Sequence, residues 1–340
     1  HLVNITLQNG SAAGDGGAVL VLNASSVHAV DARFDSNEAS GSGGALEIPL
    51  EAFVARSDFT GNVAASGDGG ALDAAAAAGQ FRIRQSQFVE NHAPAGEGGA
   101  VSAIGFGSIS TGDGVRGSSF VGNTARRGGA LVLSSGIGVA NSTIVNNMAT
   151  VGGGGILAET TSASAGTYLT VTGNAAPDGA NLSYRGHDLH LFFSVIAEPE
   201  GGGENCHITG SIHPNLVHTD DHSCGHHQVN SGPPQLGPLT DNGGRTLTRE
   251  PLAGSPLLDA IPVDYGFPAL LDGCARFEGL DPVDQRGVVR PQDGDGQDRN
   301  AFFDGEPIRV PADCDIGAVE AEAFVAPPTG PVLAGPPFTG

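Results

Sequence analysis

Short runs of β-branched and alternating residues mark the first half of the chain, as in Val19-Leu-Val-Leu22 and Phe81-Arg-Ile-Arg84. No long stretch repeats at helical period, so these runs predict strands. They are punctuated by one unit, an apolar residue, an asparagine three positions later, and then a Gly-Gly-Ala-Leu turn. Phe59, Asn62 and Gly69-Gly70-Ala71-Leu72 form one copy, and Phe88, Asn91 and Gly98-Gly99-Ala100-Val101 the next. Phe34 with Asn37, Phe120 with Asn123, Ile144 with Asn147, and Val171 with Asn174 complete the series, the last leading into a worn Gly179-Ala180-Asn181-Leu182. Successive asparagines stand 25, 29, 32, 24 and 27 residues apart. A unit recurring at such a period is one coil of a solenoid, which cannot bury its apolar face alone.

Coils of short strands stacked strand upon strand predict an all-β fold, a right-handed parallel β-helix. Neighbouring strands lie about 4.8 Å apart, so an asparagine in the same turn of each coil can bond to those above and below. Asn37, Asn62, Asn91, Asn123, Asn147 and Asn174 are therefore expected to form an amide ladder, with the Phe or Ile stacked inside. The Gly-Gly pair suits a turn that needs positive φ and a close backbone approach.

From about residue 219 the periodicity stops and proline becomes frequent, with Pro233, Pro234, Pro238, Pro251, Pro256 and Pro262. Three regions follow: a β-helix over 1–218, an irregular capping module over 219–320, and an extended Pro/Gly-rich tail over 321–340. A solenoid end exposes unpaired backbone and apolar interior, which is why a cap is expected.

The paired Phe-x-x-Asn and Gly-Gly-Ala-Leu motifs resemble those of the polymorphic outer-membrane proteins of chlamydiae and other bacterial surface β-helices. A second resemblance lies in the module: Leu236-Gly-Pro-Leu-Thr-Asp-Asn-Gly-Gly244, Gly254-Ser-Pro-Leu-Leu-Asp-Ala260, Asp284-Gln-Arg-Gly287 and Cys314-Asp-Ile-Gly-Ala-Val-Glu320. That order is similar to the choice-of-anchor Q domain of bacterial surface and secreted proteins, although the stretch 297–312 departs from it. The resemblances imply a surface-exposed passenger and bring no catalytic residue.

The formal net charge of −22 argues against nucleic acid, which needs a basic face, and favours solubility and cation binding. All 15 basic residues are arginine, so lysine chemistry is excluded. No stretch approaches the roughly 18 apolar residues of a membrane span. The opening on His1 in a strand-like segment fits a mature terminus after signal-peptide removal, and the expected location is secreted or on a bacterial cell surface. The four cysteines, Cys206, Cys224, Cys274 and Cys314, allow three pairings, of which the sequence-local Cys206–Cys224 and Cys274–Cys314 are favoured.

Three patches could carry chemistry. Asp293, Asp295 and Asp298 sit on a glycine-flexed turn and could converge on Ca²⁺, the one cofactor expected, against the plainer reading of a solvated acidic turn. Six histidines between His207 and His227, beside Asp220 and Asp221, could hold a transition metal or decorate a disulfide loop. Asp15, Asp68 and Glu97 share the position before Gly-Gly, where Asp68 and Glu97 could share a cation, act as an acid pair or remain exposed turn charges. No Ser–His–Asp order, Walker loop or dinucleotide fingerprint occurs. The expected function is a non-enzymatic structural or adhesive solenoid that self-associates head to tail or meets a glycan or cell-surface partner. The rival is a polysaccharide lyase or glycosidase working along the groove, disfavoured by the lack of Trp and the count of 3 Tyr.

Overall fold

The computed structural model describes residues 1–22, 26–75, 80–104, 114–134, 138–160, 164–225, 232–261, 283–290, 299–303, 306–310, 314–319 and 321. Among them there is no helix. The chain winds into a parallel β-solenoid of about seven turns. Each coil contributes strands to a large sheet of 21 strands, and most add one to a second sheet of six. Phe81–Arg84 lies in register between Glu51–Ala55 and Gly114–Arg116, and Leu72–Ala75 between Leu46–Ile48 and Val101–Ile104. The last long strand of the stack is Cys206–Asn215, paired to Leu182–Phe192.

Because the coils are in register, like side chains stack. The rings of Phe34, Phe59, Phe88 and Phe120 follow one another at 4.6, 4.7 and 4.8 Å, nearly coplanar, and all four are fully buried. Strand spacing sets that geometry, and burial of the ring area supplies the stabilisation. Outside the Phe column runs the asparagine column. Asn62 donates from both its backbone N–H and its Nδ2 to Asn91 Oδ1, at 3.0 and 2.9 Å. Asn91 does the same to Asn123, and Nδ2 of each also reaches a Phe carbonyl, Asn91 to Phe59 O at 3.1 Å. The pattern repeats from Asn37 to Asn174. The two glycines of each turn have separate reasons. Gly98 adopts φ +69°, and a Cβ on Gly99 would come within 2.1 Å of the Gly129 carbonyl in the next coil.

Two features were not foreseen. Beyond Asn174 the ladder does not follow the coil repeat, because Pro199 stands where the next asparagine belongs and offers no side-chain acceptor. Asn174 donates instead to Asn181 Oδ1 at 2.7 Å, and Asn181 to Asn205 Oδ1 at 2.6 Å. Asn181 thus belongs to the ladder and not only to the worn glycine turn. A second ladder is built from serines two positions before Phe59, Phe88, Phe120 and Ile144: Ser57 N–H donates to Ser86 Oγ, Ser86 N–H to Ser118 Oγ and Ser118 N–H to Ser142 Oγ, at 3.1, 3.2 and 3.3 Å.

The asparagine ladder ends on carboxylates. Asn205 Nδ2 donates to Asp220 Oδ1 at 2.6 Å, Glu198 N–H to Asp220 Oδ2 at 2.9 Å, and Asn205 N–H to Asp221 Oδ2 at 2.6 Å. Every amide in the column accepts from one coil and donates to the next, so the last needs an acceptor with nothing left to donate. An aspartate meets that need. Burial works to raise the Asp221 carboxyl, but the N–H groups of Asn205 and Ser223 hold it below the usual range. Asp220→Ala is expected to cost about 2 kcal/mol by leaving the donors of Asn205 and Glu198 unpaired. Hydrogen exchange should show the loss at the Glu198 N–H and the Asn205 side-chain amide, with coils near Asn62 unchanged.

The Cys206–Cys224 disulfide closes over this terminus. Cys314 is also disulfide-bonded, while Cys274 lies outside the described residues. The C-terminal module does more than cover an end. It runs back along one flank, touching successive coils: Arg245 Nη2 donates to Arg56 O, Thr246 Oγ1 to Gly117 O, and Arg249 Nη1 to Thr172 Oγ1. Gln285, buried, accepts from Thr143 Oγ1 at 2.7 Å and donates to Thr246 Oγ1 at 2.9 Å. Arg290 lies over the Tyr168 ring, 4.0 Å from its centroid. The module is a brace clamped to the coils between Arg56 and Glu198.

Candidate functional site

The column before the Gly-Gly turns is a set of caps and not an acid pair. Asp15 Oδ1 accepts Ser42 N–H at 2.9 Å, Ser42 Oγ accepts Asp68 N–H at 3.1 Å, and Asp68 Oδ1 accepts Glu97 N–H at 2.8 Å. Glu97 pairs with Arg127 at 2.7 Å, and Arg127 also pairs with Glu159. Ser42 and Arg127, which interrupt the acidic run in the sequence, thus continue it as hydrogen-bonding groups.

The perturbed carboxylates stand one strand further on. Glu47 and Asp73 are register partners on Leu46–Ile48 and Leu72–Ala75, directly after the Ala-Leu of their turns, and Ser102 follows in the next coil. Their strand position alternates with the core, so both leave the same outer face. Asp73 is only 7% exposed. Burial, then Asp73 and Asp15, push the Glu47 carboxyl up to about 8, and Glu47 Oε2 is buried without a hydrogen-bond partner. Burial lifts Asp73 to about 6, while the Ser102 hydroxyl and Glu47 work to lower it. Both carboxyls are pushed upward, so the pair as a unit holds a proton more tightly than separate solvated carboxylates would. No sequence signal marked these two, because a single acidic residue in an outward strand position looks like any solvated charge.

Among the described residues, the histidines of the 207–227 segment do not converge. His213 lies 3.5 Å from Asp188 and stacks on His190 with centroids 4.9 Å apart, His207 lies 3.3 Å from Glu204, and His218 is buried in another place. Among the described residues no three His, Cys, Asp or Glu side chains are placed to hold a metal ion. His226, His227 and the candidate calcium residues Asp293, Asp295 and Asp298 lie outside those residues. Burial holds the His218 imidazole below its usual range, against the opposing pull of the Gly232 carbonyl and Asp220. No helix is long and apolar enough to cross a membrane among the described residues.

Two clefts separate brace and solenoid. One of about 450 Å³ lies against Glu198, Pro238 and Arg249, whose guanidinium pairs with Glu198 at 2.5 Å. The other, about 360 Å³, is lined by Arg84, Arg116 and Asn141 on the coils and by Asp284 and Gln285 on the brace. No family model, curated protein or solved structure matches the chain, so the resemblances to outer-membrane repeats and to the choice-of-anchor Q domain gain no support beyond the β-solenoid itself.

Proposed function

We propose that the chain is a non-enzymatic scaffold, an exported β-solenoid that holds a rigid face at a bacterial surface or in an extracellular matrix. The observation that carries this reading is the asparagine column, which runs from Asn37 to Asn205 and ends on Asp220 with every link made. Such a column, with a brace along its flank, gives a stiff body whose stability comes from its own repeats. The choice-of-anchor Q resemblance of residues 205–320 agrees with display at a surface, and the acidic balance keeps such a body soluble. Head-to-tail association into a filament is part of the proposal, since contacts of that kind do not close.

The test is imaging and sedimentation of the full chain beside a variant lacking residues 321–340. Filaments of the full chain that the deletion abolishes are the expected result. A protein that remains monomeric at all concentrations overturns the filament, and one that polymerises without residues 321–340 overturns a filament in which that apolar tail crosses onto the next subunit.

A second reading has one observation in its favour: Glu47 and Asp73 are register partners on one outer face, with both carboxyls pushed upward, an arrangement that acid–base chemistry can use. A carbohydrate-active enzyme would release reducing or unsaturated ends from a polysaccharide panel. Turnover that Asp73→Asn removes would replace the scaffold by this enzyme.

A further inference from the structure

We propose that Glu47, Asp73 and Ser102 form a Ca²⁺ site on the outer face of the large sheet. The site lies one strand beyond the cap column and uses none of the residues at 293–298. It goes beyond the scaffold reading, which stands or falls on filaments and not on this ion.

The three residues hold one position in three successive coils, Glu47 beside Asp73 and Asp73 beside Ser102. Their chain neighbours Leu46, Ile48, Leu72, Ala74, Val101 and Ala103 belong to the core, so all three side chains leave the opposite face. Neighbouring strands stand about 4.8 Å apart. An ion held about 2.4 Å from an oxygen on each of two strands spans that gap, and Ca²⁺ takes oxygen ligands at such distances.

Two oxygens at this position make no hydrogen bond within the protein. Glu47 Oε2 is buried without a partner, and so is Ser102 Oγ, on a fully buried residue. The Ser102 hydroxyl is near enough to Asp73 to favour its charge but stands outside hydrogen-bond geometry. Such buried polar atoms are costly, and coordination removes the cost. The turns bring further charge. A Cβ on Gly69 would come within 2.6 Å of Asp73 N, so the turn lies against this strand and its cap carboxylates are close. Asp15 and Asp68 are the charged groups that act on the pair, and both oppose its ionisation. A divalent cation relieves that repulsion by taking the place of a shared proton. Two carboxylates and a hydroxyl, with no imidazole or thiolate among them, suit a hard ion. Mg²⁺ demands shorter, near-octahedral ligation and gives up water reluctantly, whereas Ca²⁺ accepts an irregular shell that water completes.

The experiment is calorimetric titration of the full chain with CaCl₂ and with MgCl₂, at about pH 7 and about pH 9, beside four variants. Ca²⁺ is expected to bind and to raise the melting temperature, and Mg²⁺ to bind at least tenfold more weakly. Affinity for Ca²⁺ should rise with pH, and near neutrality binding should release protons, read from buffers of different ionisation heat. Glu47→Gln and Asp73→Asn should each weaken Ca²⁺ at least tenfold, Ser102→Ala by less, and Asp295→Asn should leave that binding in place. Glu47→Gln removes a buried charge at constant size, so an unchanged or raised melting temperature separates its lost affinity from a folding defect. An absence of Ca²⁺ binding, or binding that Glu47→Gln and Asp73→Asn leave unchanged, overturns the site. A loss confined to Asp295→Asn does the same and moves the ion to 293–298. Affinity that stays flat with pH overturns the shared-proton pair as its ligand set, and Mg²⁺ binding as tight as Ca²⁺ overturns the choice of ion.

Discussion

Replacing Asn91 by alanine is expected to lower the stability of the solenoid by about 4 kcal/mol. The residue is fully buried. Its Oδ1 accepts two donors from the coil below, Asn62 N–H and Asn62 Nδ2, and its own Nδ2 serves Asn123 Oδ1 and Phe59 O. Truncation leaves both Asn62 donors facing a void, each at about 1–3 kcal/mol, and a small cavity adds to the cost. Asn91→Leu fills the volume and should recover little of that loss, since the donors stay unpaired. Asn91→Asp is the sharper variant: it keeps the acceptor for Asn62 but sets a carboxylate oxygen against Asn123 Oδ1 and Phe59 O. Asn37→Ala should cost about half as much, because below it lies Gly10, whose N–H is the one donor to Asn37 Oδ1 and whose surroundings are only partly buried. Urea denaturation measures all four, and a mid-solenoid break should also broaden the transition as the coils on either side separate. A loss below about 1 kcal/mol for Asn91→Ala would mean that stacked strands alone hold the coils together.

The second large effect concerns pH. Glu47 and Asp73 both have folded-state pKa values raised above the ordinary carboxylate range, to about 8 and about 6. The folded chain therefore binds more protons than the unfolded chain between about pH 4 and 8, and stability falls as pH rises through that window. At about 1.36 kcal/mol per pKa unit, discounted for screening at the open side of Glu47 and for the coupling of the two groups, the pair is expected to account for on the order of a few kcal/mol. Other groups slope the opposite way: His218 resists charging below its ordinary pKa, and Asp221 resists protonation. The variant isolates the pair. Glu47→Gln keeps the size, removes one charge, and should be indistinguishable from the parent at pH 5 but more stable at pH 9. Melting curves of both proteins across that range decide it. A difference that stays flat with pH would mean the two carboxylates are solvated and independent.

How far the fold could be read from the residues depended on repetition. Phe59, Phe88 and Phe120 precede their asparagines by the same three positions, and only stacking in register makes that spacing worth repeating. The serine column was nearly as regular, two residues before Phe59, Phe88, Phe120 and Ile144, but serine is common enough in this chain that its spacing passed as composition. Asn181 was placed in the glycine turn because the repeat was followed by length, while the molecule followed the ladder past Pro199. The brace was read as a cover for one end, since proline-rich irregular sequence carries no record of which surface it lies on.

The order of side chains in one coil settled the interior: identical residues at a fixed interval can be buried together only if the coils stack, so the β-solenoid and its amide column follow from local spacing and strand geometry. The outer faces followed no such rule. Whether Glu47 meets Asp73, whether Arg84 meets Arg116, and which coils Gln285 and Arg245 clamp depend on insertions of different length between repeats and on a chain segment more than a hundred residues away. Those encounters change burial and dielectric surroundings, and with them charge and affinity, so the chemistry of the molecule was decided by its tertiary structure.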